Sequence, residues 1–389
     1  MNLRSSIEFL YLGWAREHKT APLGKLGLKA KGKIRCDLPA LHLIDSRQFN
    51  FSLSAATPVT GANMRALVVS NYTSVESLHL QEVPSPAIAR GHVRVRVKAA
   101  GIGFVEALKI AGRYQTKDPL PFVPGMEFAG IVNELGGEVT RPKVGDRVFG
   151  LAPRGALAED ISVAASELSE IPDHVSFVQA AAVPVNYLTA GYGLIELAAL
   201  RAGQNLLILG AAGGTGTAAI KIGRMLGANV IAAAASEEKR AFARAHGADH
   251  VIDYSAEDWR KTLGSMTGGK PVDVIFDAVG GDVSPLAFRT LGWRGKHLVV
   301  GFAAGKIPAL PFNIALLKGA SLVGVDSAQI RKWEPDVYDR FRNDIALWLQ
   351  TRAVEPPPAM GFPFERFLDA FDAISSRRAV GKIVVEMSS

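Results

Sequence analysis

The stretch Leu206–Ala235, LLILGAAGGTGTAAIKIGRMLGANVIAAAA, constrains the fold more than any other part of the chain. It reads as a strand (Leu206–Leu209), a glycine-rich turn (Gly210–Gly216), a helix to Leu226 and a second strand from Asn229. Four aliphatics without a polar interruption suit a strand buried on both faces of a parallel sheet. Ala211, Gly213 and Gly216 form AxGxxG, a dinucleotide-binding fingerprint with Ala at its first position. Small residues there let the backbone approach a pyrophosphate, which then faces the free N–H groups of the helix N-terminus. Ala218, Ala219, Ile222, Met225 and Leu226 recur at helical spacing and give that helix an apolar face for the sheet. A strand–turn–helix–strand setting favours a nucleotide site over a plain tight turn.

With 389 residues the chain has room for two domains. Its net charge of +7 is concentrated at one end. Residues 1–63 hold nine Lys/Arg against four acids, which leaves 35 basic and 33 acidic residues for the remainder, only +2. The body therefore does not present the basic excess of a nucleic-acid-binding surface. The single cysteine, Cys36, excludes an internal disulfide and fits a reducing compartment, so a cytoplasmic location is expected. No run approaches the roughly 20 apolar residues that span a bilayer. Residues 1–63 show no sustained periodicity. They read as a disordered tail, a targeting peptide, or an over-extended start with the initiator at Met64, the last being preferred because Glu8 and Glu17 weaken the second.

From Met64 the pattern changes. MRALVVSN, LHLQEV, HVRVRVKAAG, FAGIVNELG, VGDRVFGL and ALAEDISVAAS read as short strands broken by Gly and Pro, a compact β-rich barrel ending near Ile171. Helical patterning starts near Phe177, and from Leu206 strands and helices alternate through VIDY, DVIFDAVGG, HLVVGF and SLVGV. That alternation predicts a doubly wound sheet of about six strands. An amphipathic helix (Pro335–Leu349), a break at Pro356–Pro358, a helix around Phe367–Ser375 and a closing strand KIVVEM complete the chain. The closing strand is expected to return to the first domain.

Ten segments in order carry a resemblance: KAAGIGFVEALKIAGRYQ, LPFVPGMEFAG, VGDRV, VNYLTAGYGL, GAAGGTG, ASEEKRAFARAHGADHVIDY, FDAVGG, VVGFAAG, LLKGASLVGV and AVGKIVVEM. Over residues 64–389 the chain resembles the medium-chain dehydrogenase/reductase superfamily, in its zinc-independent NADPH:quinone oxidoreductase branch. The resemblance implies an α/β protein with a GroES-like β-rich catalytic domain (64–185 and 313–389) and a doubly wound Rossmann domain (186–312), with the active site between them. It also implies a homodimer joined through the edge strand near Ser321–Val325. The zinc-dependent relatives carry a Cys and a His where Gly103 and Met126 stand here, and neither replacement can hold Zn²⁺. His246 and His250, at i,i+4 spacing, are separated by a helix-ending Gly247 and do not share a helical face, so no metal is expected.

The cofactor reading rests on the residues that end the second strand and begin the next helix. An NAD-preferring fold places an acid at that strand's end to take the ribose 2′-hydroxyl. Here Ala232–Ala235 end it, and Ser236 and Lys239 come next at a helix N-terminus, where a 2′-phosphate would find charge and amide donors. An N-cap serine beside a solvated lysine is the plainer account. NADPH is expected, held by Ala211, Ala212, Gly213, Gly214, Thr215, Gly216, Ser236 and Lys239. By resemblance Tyr254, Asn186 and Thr189 join them. Val279, Gly280 and Phe302 end sheet strands, at the edge where such folds bind ligands. The resemblance puts Gly103, Phe104 and Glu106 on the substrate side. It makes Tyr114 the candidate hydrogen-bond and proton donor, against a purely packing role.

Three functions compete. The first is hydride transfer from NADPH to quinones or related α,β-unsaturated carbonyls. The second is reduction of an enoyl thioester, and the third is a low-turnover NADPH-binding structural or sensor protein.

Overall fold

A computed structural model describes residues 63–387, so the expectations for residues 1–62 lie outside the described residues. The first seven strands are β1 (Asn63–Leu67), β2 (Leu80–Pro84), β3 (His92–Ile102), β4 (Glu127–Leu135), β5 (Arg147–Leu151), β6 (Asp160–Ala164) and β7 (Leu168–Glu170). Then come six in alternation with helices: β8 (Asn205–Leu209), β9 (Asn229–Ala233), β10 (His250–Ile252), β11 (Val272–Asp277), β12 (Leu291–Val299) and β13 (Ser321–Gly324). Two more close the chain, β14 (Ala359–Pro363) and β15 (Lys382–Glu386).

Strand β3 shows how the barrel is written. Val93, Val95 and Val97 are buried while Arg94 and Arg96 between them are not, the period of two that one buried face requires. Around it the sheet runs β14-β15-β3-β4-β5-β7, with β6 also on β3. Strand β15 pairs antiparallel with β3, Val385 opposite Ala100, which gives the closing segment its place in the catalytic domain. Strands β1 and β2 form a separate antiparallel pair.

The second sheet is parallel throughout, in the order β10-β9-β8-β11-β12-β13. This is the doubly wound arrangement, and the order reverses between β8 and β11. Every residue of β8 is buried, its four aliphatics Leu206–Leu209 as their text requires and Asn205 with its side chain hydrogen-bonded to the Pro271 carbonyl. Strand β13 lies beyond residue 312, so the nucleotide-binding sheet continues past the expected boundary. The return to the catalytic sheet begins only at Ala359. Strand β13 is four residues long, and the helix before it, Phe312–Lys318, rests on the core only through the partly buried Ile314 and Ala315.

One apolar core joins the two sheets. Ala99, Ala129 and Phe149 of the catalytic domain share it with Leu206, Ile208, Phe276 and Leu298 of the parallel sheet, through Ala180–Val183 and Leu188. A continuous packed core between domains holds the crevice beside it in one geometry.

Candidate active site

The glycine-rich turn stands at the switch point of the parallel sheet. Gly210, at φ +76°, leaves β8, and the helix Gly214–Met225 begins at once behind it. A Cβ on Gly216 would lie 2.3 Å from the Gly210 carbonyl oxygen, so only glycine lets helix and strand approach this closely. Asn186, from the helix Pro184–Gly191, fastens the turn from below. Its Oδ1 accepts from the Thr215 hydroxyl at 2.9 Å, and its Nδ2 donates to the Ala182 carbonyl at 2.8 Å. One turn on, Thr189 donates to the Val185 carbonyl and meets the Ser327 hydroxyl, both at 2.7 Å. Thr189 thus ties the helix to the segment after β13, beyond packing on the sheet. The Gly381 N–H donates to the Ala212 carbonyl at 2.8 Å, so Ala212 and Gly213 meet the start of β15. The turn touches both domains.

Across the switch point, the segment after β11 carries Val279 and Gly280. The Asp277 carboxylate accepts both of their N–H groups at 2.9 Å. It also accepts from the Ser284 hydroxyl and lies 2.9 Å from His297 Nε2. Burial alone would raise this carboxyl. Hydrogen bonds from His297, Ser284 and the Gly280 amide, with the imidazole's charge, outweigh it and hold the group below its ordinary value of 3.8. Phe302 packs against Gly280, where a Cβ would come within 2.8 Å of its ring, and Ala304 N–H returns to the Val279 carbonyl at 2.8 Å. Val279, Gly280 and Phe302 form one rim at the carboxyl end of the sheet.

At the end of β9 the predicted pair separates in role. Ser236 caps the helix Glu237–Ala245 by accepting the Lys239 N–H at 3.3 Å. The Lys239 ammonium reaches outward and donates to the Arg377 carbonyl at 2.7 Å. Arg377, at φ +57°, donates in turn from Nη2 to the Ala303 carbonyl at 3.3 Å. Tyr254 lies half-buried beside it. Burial raises that phenol, and the Arg377 charge opposes the rise. Neither Lys239 nor Arg377 is paired with a carboxylate among the described residues. The ammonium thus meets the backbone of Arg377, while the guanidinium turns to the Ala303 carbonyl. The sequence reading missed Arg377, which comes from a two-arginine turn that resembles any solvated loop.

On the catalytic side, Gly103 caps the helix Phe104–Ile110 and Glu106 accepts its N–H at 2.7 Å. Glu106 is 3% exposed, so it is not the solvated helix residue its position suggests. Phe104 beside it is exposed. Tyr114 is half-buried, and its phenol is raised by burial first, then by the charges of Asp326 and Glu106. It therefore stays protonated through the neutral range. Asp326 and Ser327, just after β13, are further residues of this crevice that sequence reasoning did not single out. Among the described residues no group of three or more His, Cys, Asp or Glu side chains converges to hold a metal.

Two family models match: the alcohol dehydrogenase GroES-like domain over residues 89–173 and the zinc-binding dehydrogenase domain over residues 214–343. A curated relative, quinone oxidoreductase-like protein 2 of Bos taurus, is 36% identical over 328 residues, covering 84% of this chain and 93% of its own. The solved quinone oxidoreductase of Thermus thermophilus, also determined with NADPH, superposes with a TM-score of 0.71 at 30% identity. It covers 83% of this chain and 100% of that one. The CurK enoyl reductase superposes with a TM-score of 0.76 at 26% identity, covering 84% and 100%. With these relatives and this two-sheet crevice, the chain belongs to the medium-chain dehydrogenase/reductase superfamily, in its quinone oxidoreductase branch.

Proposed function

We propose that the protein is an NADPH-dependent, metal-independent reductase that passes a hydride to quinones or related α,β-unsaturated carbonyls. The observation that carries the cofactor choice is the pair of cations Lys239 and Arg377 beside Tyr254, at the end of a strand that finishes in alanines. The turn Ala211–Gly216 would take the pyrophosphate, and the rim of Val279, Gly280 and Phe302 the nicotinamide end. Nicotinamide C4 supplies the hydride when the cofactor is bound. Gly103 and Met126 offer no metal ligands, so the charge that develops on the acceptor's oxygen must be met by hydrogen-bond donors, Tyr114 among them. A conjugated acceptor suits such a site because the added charge spreads to that oxygen. Purified protein should oxidise NADPH with a simple quinone and leave saturated ketones and secondary alcohols untouched, measured by absorbance at matched purity. Rapid oxidation of a secondary alcohol with no quinone turnover would sink the assignment. The likeness to the CurK enoyl reductase supports a second reading, reduction of an enoyl thioester. Parallel assays on a quinone and an enoyl thioester separate the two.

The same reading includes a homodimer. Strand β13 is the open edge of the parallel sheet, with Leu322 exposed. Beside it the helix Phe312–Lys318 leaves Phe312 85% and Leu316 82% exposed. An apolar patch flanking an unpaired sheet edge fits a second copy of this chain better than solvent. Leu316→Glu with Leu322→Lys should halve the mass seen by sedimentation. An unchanged mass would place the contact elsewhere.

A further inference from the structure

Beneath the meeting point of turn and catalytic sheet lies a buried set of charges to which hydride transfer from the nicotinamide assigns no part. Lys382 opens β15 and is 7% exposed, and Glu127 opens β4 and is 1% exposed. The two form an ion pair through Nζ and Oε1, and Glu127 Oε2 accepts the Val185 N–H at 2.8 Å. Glu106 lies on the same side of Gly103. A Cβ built on Gly103 would stand 3.5 Å from Glu106 Oε2 and 3.7 Å from Lys382 Nζ. Because position 103 has no side chain, an atom placed where its Cβ would stand lies within van der Waals reach of both groups. The residue before Lys382 is Gly381, which bonds to Ala212 of the dinucleotide turn. The ammonium is therefore one residue from the backbone that would carry the cofactor.

The charge count decides the state of Glu106. The charged groups facing it are Lys382 from β15 and Glu127 from β4, with the Tyr114 phenol near by. The single ammonium already belongs to Glu127, so a second carboxylate would be buried without a partner, at a cost of several kcal/mol. The balance pushes Glu106 toward its protonated form. Its carboxyl is raised by burial first, opposed by Lys382 and assisted by Glu127.

We propose that Lys382 and Glu106 are catalytic residues: an acceptor oxygen seated on the bare surface of Gly103 is met by the Lys382 ammonium and takes the Glu106 proton. The inference rests on the reading as a reductase of conjugated carbonyls. The hydride leaves nicotinamide C4 and forms a C–H bond at the acceptor's β-carbon, and the conjugated electron pair moves to the oxygen. The Glu106 O–H bond breaks as the new O–H bond forms. NADP⁺ and a Glu106 carboxylate remain, and the carboxylate is reprotonated from water. Lys382 stabilises the oxyanion as it forms and the carboxylate afterwards.

The test uses 4-nitrophenol, whose phenolate mimics the charged oxygen, with NADP⁺ present and no turnover required. In the wild-type protein the bound probe should ionise about one unit below its free value, roughly a tenfold change in ionisation constant. Lys382→Met combined with Glu127→Gln, which leaves no buried charge unpaired, should remove the shift. Gly103→Ala should weaken it too, because its Cβ fills the gap at van der Waals distance from Lys382 Nζ and leaves the charges of the ion pair in place. Glu106→Gln should lower kcat by about a hundredfold with little change in KM, and flatten the fall of kcat at high pH. Failure of the probe to bind, an unshifted probe, or a shift that survives both variants would overturn the inference. If the shift is seen but neither quinones nor enones are reduced, the functional reading fails while the cation site stands.

Discussion

Asp277→Ala should destabilise the protein by about 3–5 kcal/mol, read from chemical denaturation, and should weaken cofactor binding in whatever protein remains folded. The magnitude comes from the number of donors the carboxylate serves. It is 3% exposed and accepts from the Val279 and Gly280 amides, the Ser284 hydroxyl and His297 Nε2. Removing it orphans buried donors worth about 1–3 kcal/mol each, only partly recovered by relaxation. His297 can least bear this, since its Nδ1 already lacks a partner. The pH dependence has a definite sign. The folded carboxyl lies below its ordinary value, so its contribution is present above about pH 4 and is lost as pH falls through the depressed folded value. Asp277→Asn should therefore blunt acid destabilisation below pH 4. An acid limb as steep as the wild type's would show that other carboxylates set it.

That network also shows where sequence reading reaches its limit. The turn Gly210–Gly216 was legible because its chemistry is local: strand, glycines and helix adjoin in the chain, and the residue types needed are dictated by backbone geometry alone. Ser236 was legible as a cap for the same reason. Asp277 stands in a recognisable FDAVGG, but its function depends on His297, which belongs to the neighbouring strand and arrives only through sheet pairing. Lys382 is harder still. In the text AVGKIVVEM it is one more lysine at a strand end, of the kind that usually snorkels to water. Only the antiparallel pairing of β15 with β3, and of β3 with β4, sets it beside Glu127, far back in the chain. Glu106 could be placed on the substrate side only by resemblance, since its local text equally allowed a solvated helix residue. A glutamate three residues past a cap is normally a solvated partner of the helix N-terminus. Here the last strand and the helix Phe367–Ser375 cover that side of the barrel, and the same hydrogen bond forms in the interior. The strand SLVGV was legible as a member of the parallel sheet, whereas the helix Phe312–Lys318 before it, with only Ile314 and Ala315 resting on that core, gives little pattern by which to place a boundary at residue 312.

Lys239→Ala combined with Arg377→Ala should weaken NADPH binding by about 2–4 kcal/mol, a charged hydrogen bond lost at each of two partly exposed positions. That corresponds to roughly 30- to 1,000-fold in Kd, while NADH should bind nearly as before. The asymmetry comes from where the two cations stand. Lys239 lies just past the alanine-ended strand β9, and Arg377 reaches in from the catalytic domain to close the same corner. The Lys239 ammonium is bonded to the backbone of Arg377, neither side chain has a carboxylate partner among the described residues, and a doubly charged phosphate between them would draw on both charges. A ribose 2′-hydroxyl cannot, so the pair contributes little to NADH. Each single variant should lose about 1–2 kcal/mol. Because they share one ligand the losses need not add, and a double-variant loss below the sum would show that the second cation shifts to cover for the first. Rising salt should erode the NADPH preference in the wild type and leave the double variant unmoved. Titration of both cofactors into all four proteins tests this directly. Equal losses for NADPH and NADH would mean that the corner between Lys239 and Arg377 never meets the 2′-phosphate.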